Sequence, residues 1–130
     1  MKKDKIITNF NLILEQFLVD TKPILGNKYL LLFKAIKLYD KEKPIIDFKF
    51  YLQYKEHILN KNIEFFFTDE FQSNINEFIF KQYALNKLED LKKIYYELEE
   101  ENRNNLWEII FGLIKLSEKY ESLISTPLHA

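Results

Sequence analysis

The chain has no cysteine, and its 130 residues include only two glycines, three prolines, two histidines, one tryptophan and one arginine. Without cysteine there is no disulfide scaffold, no thiolate metal site and no cysteine nucleophile. The glycines, Gly26 and Gly112, belong to neither a G-x-x-x-x-G-K nor a G-x-G-x-x-G loop, so the common phosphate cradles are excluded. Serine occurs only at 73, 117, 122 and 125, never in a G-x-S-x-G setting. No apolar run approaches the ~18 residues needed to span a bilayer. Nineteen basic residues against twenty acidic ones leave a net charge of −1, which removes the broad electrostatic footprint of a nucleic-acid binder.

What remains is a globular composition, 47% hydrophobic and 30% charged. A chain of this length is expected to form one domain over 1–130, burying roughly 65–70% of the surface its unfolded form exposes. Ile, Lys, Asn, Phe and Tyr supply half of the residues, against three alanines and one valine. These are the amino acids of AT-rich codons, and their physical consequence is a core of bulky side chains. The start Met1-Lys2-Lys3-Asp4-Lys5 is basic, but Ile6–Leu18 carries asparagines and a glutamate, so it does not read as a secretory leader. Met1-Lys2 also lacks the glycine that myristoylation needs. A soluble protein, intracellular or packed inside a particle, is expected, with short flexible tails at about 1–5 and 125–130.

Helical periodicity dominates. Apolar residues at 6, 7, 10, 13, 14, 17 and 18 predict a first helix closed by Pro23. A second runs from about Asn27 to Tyr39, with Asn27 as N-cap, Tyr29, Leu32, Phe33, Ile36 and Tyr39 on the core face, and Lys28, Lys34, Lys37 and Lys41 mostly opposite. Pro44 suits the first turn of a third helix to Leu59, with inward rows at 45, 48, 52, 55 and 59 and at 51, 54 and 58. Phe65-Phe66-Phe67 has strand propensity but no partner strand, and is expected to form an aromatic plug in a loop. Thr68-Asp69-Glu70 is a good helix start, and helical spacing continues to Leu98 as one helix or two. Glu99-Glu100-Glu101 then opens a last helix, acidic where the helix dipole favours it. Its stripe is Leu106, Ile109, Ile110, Leu113, Leu116, Tyr120 and Leu123, with Trp107 and Ile114 at the margins and Pro127 at the end. The fold class read from this is all-α, a compact bundle of five or six amphipathic helices.

Two passages carry a resemblance. One is Pro44-Ile45-Ile46-Asp47-Phe48-Lys49-Phe50-Tyr51, followed by Tyr54-Lys55-Glu56-His57-Ile58-Leu59-Asn60-Lys61-Asn62 and Phe65-Phe66. The other is Glu99-Glu100-Glu101-Asn102-Arg103-Asn104-Asn105-Leu106-Trp107-Glu108-Ile109-Ile110 with Leu113 and Lys119-Tyr120. Together they resemble small helical open reading frames of nucleocytoplasmic large DNA viruses, the giant viruses, over about 44–120. Leu106 and Ile110 depart from that pattern, where isoleucine and tyrosine are expected, and Ile63-Glu64 replaces a commoner acidic pair. The resemblance implies a viral source, a helical fold and a place in the virion or host cytoplasm. It implies no activity and no site.

The residues that could carry chemistry are few. His57 has no second histidine near it in sequence, and His129 follows Pro127, so no metal site is expected. Glu97, Glu99, Glu100 and Glu101 read as a solvated helix start rather than an acid–base pair. No catalytic residue and no cofactor is assigned, and a non-enzymatic protein is expected. Three adjacent rings at Phe65, Phe66 and Phe67 cannot all face one core, so this turn is the expected protein-contact site, for a viral or host partner or for self-association. Residues 1–67 carry twelve lysines and eight acids (+4), and 68–130 carry seven basic residues and twelve acids (−5). The basic half would steer an acidic partner. The alternative is a non-specific nucleic-acid accessory protein using Lys28, Lys34, Lys37 and Lys41, salt-sensitive because it would rest on phosphate contacts.

Overall fold

A computed structural model describes residues 2–68, 70–71 and 88–125. The fold is all-α, with no strand among the described residues. Its contacts group the chain into two compact units, residues 1–55 with 108–130, and residues 56–107.

The first unit begins with α1 (Lys2–Asp20). The helix includes Lys2–Lys5 of the expected N-terminal tail, because the period that places Ile6, Ile7 and Phe10 inward extends back through them with their charged side chains in solvent. Pro23 does more than close α1, since it sits in the first turn of the short α2 (Lys22–Leu25), where no N–H is required. Gly26 follows with φ +82°, a left-handed conformation that costs a side chain and suits glycine. Next come α3 (Lys28–Tyr39) and α4 (Lys43–Phe48), the latter with Pro44 in its first turn as expected. Asn27 stands at the α3 N-cap without a side-chain capping hydrogen bond, because its backbone is already helical rather than extended.

The third predicted helix is helical throughout 43–59 but not uniformly α. Lys49–Tyr54 tightens into a 3-10 helix before α5 (Lys55–Leu59). The 3-10 repeat aligns residues three apart. Phe48 and Tyr51 lie 5.3 Å between centroids, and Phe50 meets both Tyr51 at 5.3 Å and Tyr54 at 5.5 Å. Leu59, expected inward, is exposed.

Residues from α1, α4 and the C-terminal part of α7 (Glu100–Ser125) build the core of this unit. Ile7, Phe10, Ile45, Leu113 and Tyr120 are its centre, with Ile6, Ile13, Leu14, Phe48, Ile109 and Leu116 packed around them. Phe10 meets Phe48 edge-on at 5.3 Å, a geometry that adds to simple burial. Ile114 is buried rather than marginal, and Leu123 is exposed. The apolar stripe of α7 therefore turns toward 113, 114, 117 and 120. Polar ties connect these elements. Asn11 Nδ2 donates to the Lys41 carbonyl at 2.8 Å. Lys55 pairs with Glu118 at 2.6 Å, and Lys49 with Glu121 at 3.4 Å. Tyr120 donates its hydroxyl hydrogen bond to Glu42, whose carboxylate also meets Lys3 at 3.2 Å.

In the second unit, α5 ends in a double backbone clasp. The Asn62 N–H bonds to the His57 carbonyl at 2.8 Å and the Lys61 N–H to that of Ile58 at 3.0 Å, with Lys61 left-handed at φ 53°. This is the Schellman arrangement that closes a helix and turns the chain sharply. A 3-10 helix over Ile63–Phe67 follows. Thr68 caps the next helical residues, its Oγ1 accepting from the Phe71 N–H at 3.3 Å. The question of one helix or two over 69–98 falls largely outside the described residues; α6 (Leu88–Glu97) is its described end. Trp107, placed at a margin by the sequence pattern, is buried, with its indole N–H on the Tyr95 hydroxyl at 2.9 Å. The expected tail over 126–130 also falls outside the described residues.

Candidate functional site

The three rings of the expected contact site are half-buried. Phe65 stacks flat on His57, centroids 3.7 Å apart and planes 4° from parallel. Phe66 meets Phe65 at 5.4 Å and Phe71 at 5.0 Å, both edge-on. Lys92 lies over Phe67 at 5.7 Å, and its Nζ is 3.8 Å from Glu64, which also accepts from Tyr96. The turn is thus a small aromatic cluster serving its own unit, with each ring already offered a face or edge. His57 has its Nδ1 3.0 Å from the Asn62 amide.

The lysines of the second helix separate into two kinds. Lys37 turns inward, over the Phe33 ring at 5.4 Å and bound to Glu15 at 2.8 Å. Its hydrogen bond holds the Glu15 carboxyl below the ordinary range, with Lys34 adding to the effect. Lys41 lies 4.0 Å from Asp4. Lys28 and Lys34 are exposed along α3. The four do not form one open cationic face.

The structure instead exposes an apolar face on α3. Leu30 and Phe33 are the buried positions of this helix, and Tyr39, expected on the core face, is 89% exposed. Leu38 is 90% exposed and Leu31 57%, with Ala35 between them also in solvent. At 100° per residue, Leu31, Ala35 and Leu38 share an arc of about 60°, with Lys28 and Lys34 about 60° to either side of Leu31. The result is an outward apolar stripe of Leu31, Ala35 and Leu38 bordered by cations, with the exposed Tyr39 about 80° round the helix from Leu31. Sequence reasoning missed it by giving α3 a single apolar face. The available signal was composition: Lys28–Tyr39 holds nine apolar or aromatic residues against three lysines, more than one core-facing stripe requires.

Other chemistry is sparse. Glu99, Glu100 and Glu101 are exposed around the start of α7. Among the described residues no three His, Asp or Glu side chains gather closely enough to share a metal ion. No described helix is long and apolar enough to cross a membrane. Comparison of the chain with protein-family models, with curated proteins and with solved structures finds no match.

Proposed function

We propose that this protein is a non-enzymatic helical module that acts by protein contact, and that its contact face is the outer side of α3. The observation that carries the reading is the stripe Leu31, Ala35 and Leu38 with Tyr39 beside it, Leu38 and Tyr39 being nine-tenths in solvent. Scattered single apolar residues on a surface need no explanation, but a contiguous exposed apolar stripe beside an exposed tyrosine marks a place of contact. The Phe65–Phe67 turn is the weaker place for the contact, because its rings are engaged with His57, Phe71 and Lys92. The resemblance to giant-virus reading frames supports a role in the virion or on a host or viral partner.

The test is selection of peptides from a random displayed library on the wild-type protein and on Leu38→Glu. Leu38 contributes nothing to the buried core, so the variant should keep its circular dichroism and melting temperature. Enriched peptides that bind wild type and lose binding to Leu38→Glu are the expected result. Peptides indifferent to Leu38→Glu, or no enrichment at all, would refute the reading.

A further inference from the structure

The helical run that begins at Lys43 changes its winding at Lys49, and an ion pair stands at each end of the change. Lys49 opens the 3-10 interval and lies 3.4 Å from Glu121; Lys55 follows its last residue and lies 2.6 Å from Glu118. Glu118 and Glu121, three apart on α7, sit about 60° from each other around its axis and share a face. Lys49 and Lys55 are six apart. At about 3 residues per turn, six residues complete two turns and bring the lysines onto one line. At about 3.6 per turn they would diverge by about 120°, away from a single face of α7. The two pairs together thus match the 3-10 winding. Nothing in Lys49–Tyr54 itself calls for it. The segment has neither glycine nor proline, and its six residues exceed the roughly three or four over which a 3-10 helix is usually sustained. The rings do not decide, since the contacts Phe48–Tyr51 and Phe50–Tyr54 span three residues and four.

We infer that Lys49–Glu121 and Lys55–Glu118 form an ionic latch that holds Lys49–Tyr54 in the 3-10 winding, and that opening the latch lets the segment relax toward α-helix. The 3-10 geometry makes poorer backbone hydrogen bonds than the α-helix, so six residues of it need a hold from outside the segment, and the two carboxylates of α7 supply one. The first bond to change is at the end of the interval. There the Lys55 N–H donates to the Leu52 carbonyl, three residues back; in an α-helix it would donate to Tyr51. Each residue converted unwinds the chain by about 20° and shortens it by about 0.5 Å. The latch responds to charge, because all four side chains are partly open to water and the pairs are within reach of salt. None of these residues belongs to the outer face of α3, so the latch and the contact reading above stand or fall separately.

The test is nuclear magnetic resonance on the isotope-labelled full chain, reading the scalar coupling that passes through a hydrogen bond from the Lys55 amide nitrogen to the carbonyl carbon that accepts it. In the wild type at low salt the coupling should run to Leu52. The double variant Glu118→Gln with Glu121→Gln removes both charges and leaves the sequence of the segment untouched. There the Leu52 coupling should be lost and a coupling to Tyr51 gained, with the α-carbon shifts of Lys49–Tyr54 moving toward α-helical values. Exchanging the charges, Lys49→Glu and Lys55→Glu together with Glu118→Lys and Glu121→Lys, should restore the Leu52 coupling. A Leu52 coupling that persists in the double variant would overturn the latch. So would its loss with no gain at Tyr51, which would mean melting and not rewinding, or an exchanged variant that fails to restore it. If circular dichroism shows that the double variant does not keep its fold, the wild type taken from about 20 mM to about 1 M salt replaces it, judged by the same gain and loss.

Discussion

Replacing Tyr120 by phenylalanine removes one oxygen atom from the core of the first unit and leaves the ring in place. That oxygen donates to Glu42, so the loss is a charge-assisted hydrogen bond between the C-terminal part of α7 and the start of α4. Glu42 keeps Lys3 at 3.2 Å and remains partly open to water, so the variant does not strand a buried charge. The expected cost is therefore about 1–2 kcal/mol, below the penalty for orphaning an ion. For a chain of this length that lowers the melting temperature by about 4–7 °C. The pH dependence has two edges. The Tyr120 hydrogen bond, aided by Lys3, holds the Glu42 carboxyl below its ordinary value of 4.5, so its stabilisation is present above that pH and is lost as pH falls through the folded value. Burial and then the Glu42 carboxylate push the Tyr120 phenol above its ordinary 10.0, so its stabilisation is complete below pH 10 and is lost as pH rises further. The gap between wild type and Tyr120→Phe in urea melts should be constant from about pH 5 to pH 9 and shrink on both sides. Glu42→Gln should be non-additive with Tyr120→Phe by about 1 kcal/mol. A gap under about 0.3 kcal/mol at pH 7, or one unchanged down to pH 3, would refute the reasoning.

Two further substitutions test local features. Ser117 is fully buried in α7, and its hydroxyl has no hydrogen-bond partner among the described residues. Ser117→Ala should therefore raise stability by about 0.5–1.5 kcal/mol in urea melts, and a loss would show that the hydroxyl is satisfied. Lys61 adopts a left-handed conformation at the end of α5, where glycine carries no Cβ penalty. Lys61→Gly should stabilise by about 0.5–1 kcal/mol despite the loss of its 3.3 Å contact to Asn104, and a destabilised variant would contradict the clasp described there.

The fold class was legible because helical spacing runs through the described chain and because proline marks its starts. Pro44 opens α4, and the bounds of α3 match the periodic segment to within a residue. Faces were harder. Trp107 and Ile114 were set at the margin of α7 because seven other apolar residues filled a plausible stripe, and only packing decides which arc of so broad a face turns inward. The 3-10 interval over Lys49–Tyr54 was invisible because its aromatic spacing also satisfies an α-helix; the backbone distinguishes the two, with the Lys55 N–H closing on the Leu52 carbonyl three residues back. The three adjacent phenylalanines implied that some ring lacks a core position. They did not reveal that His57 and Lys92 would lie against two of them. The stripe on α3 escaped for a similar reason. Tyr39 fitted the core period, but it is the last residue of α3, the chain leaves the helix at Asp40, and the ring stays in solvent.

The first unit is assembled from the two ends of the sequence, and that sets an order of events during synthesis. Ile7, Phe10 and Ile45 are made early, whereas Leu113 and Tyr120, which complete their core, arrive about seventy residues after Ile45. At ordinary translation rates this is a delay of about 3.5–14 s. That interval far exceeds the microseconds in which α1 and α3 can form. A nascent chain made as far as residue 55 would therefore hold Ile7, Phe10 and Ile45 with their apolar centre still open. Residues 56–107 have time to settle before the last partner arrives. Closure of the first unit is then the final step, made by the C-terminal turns of α7, and a ribosome stalled before residue 113 would hold a chain whose hydrophobic centre lacks Leu113 and Tyr120.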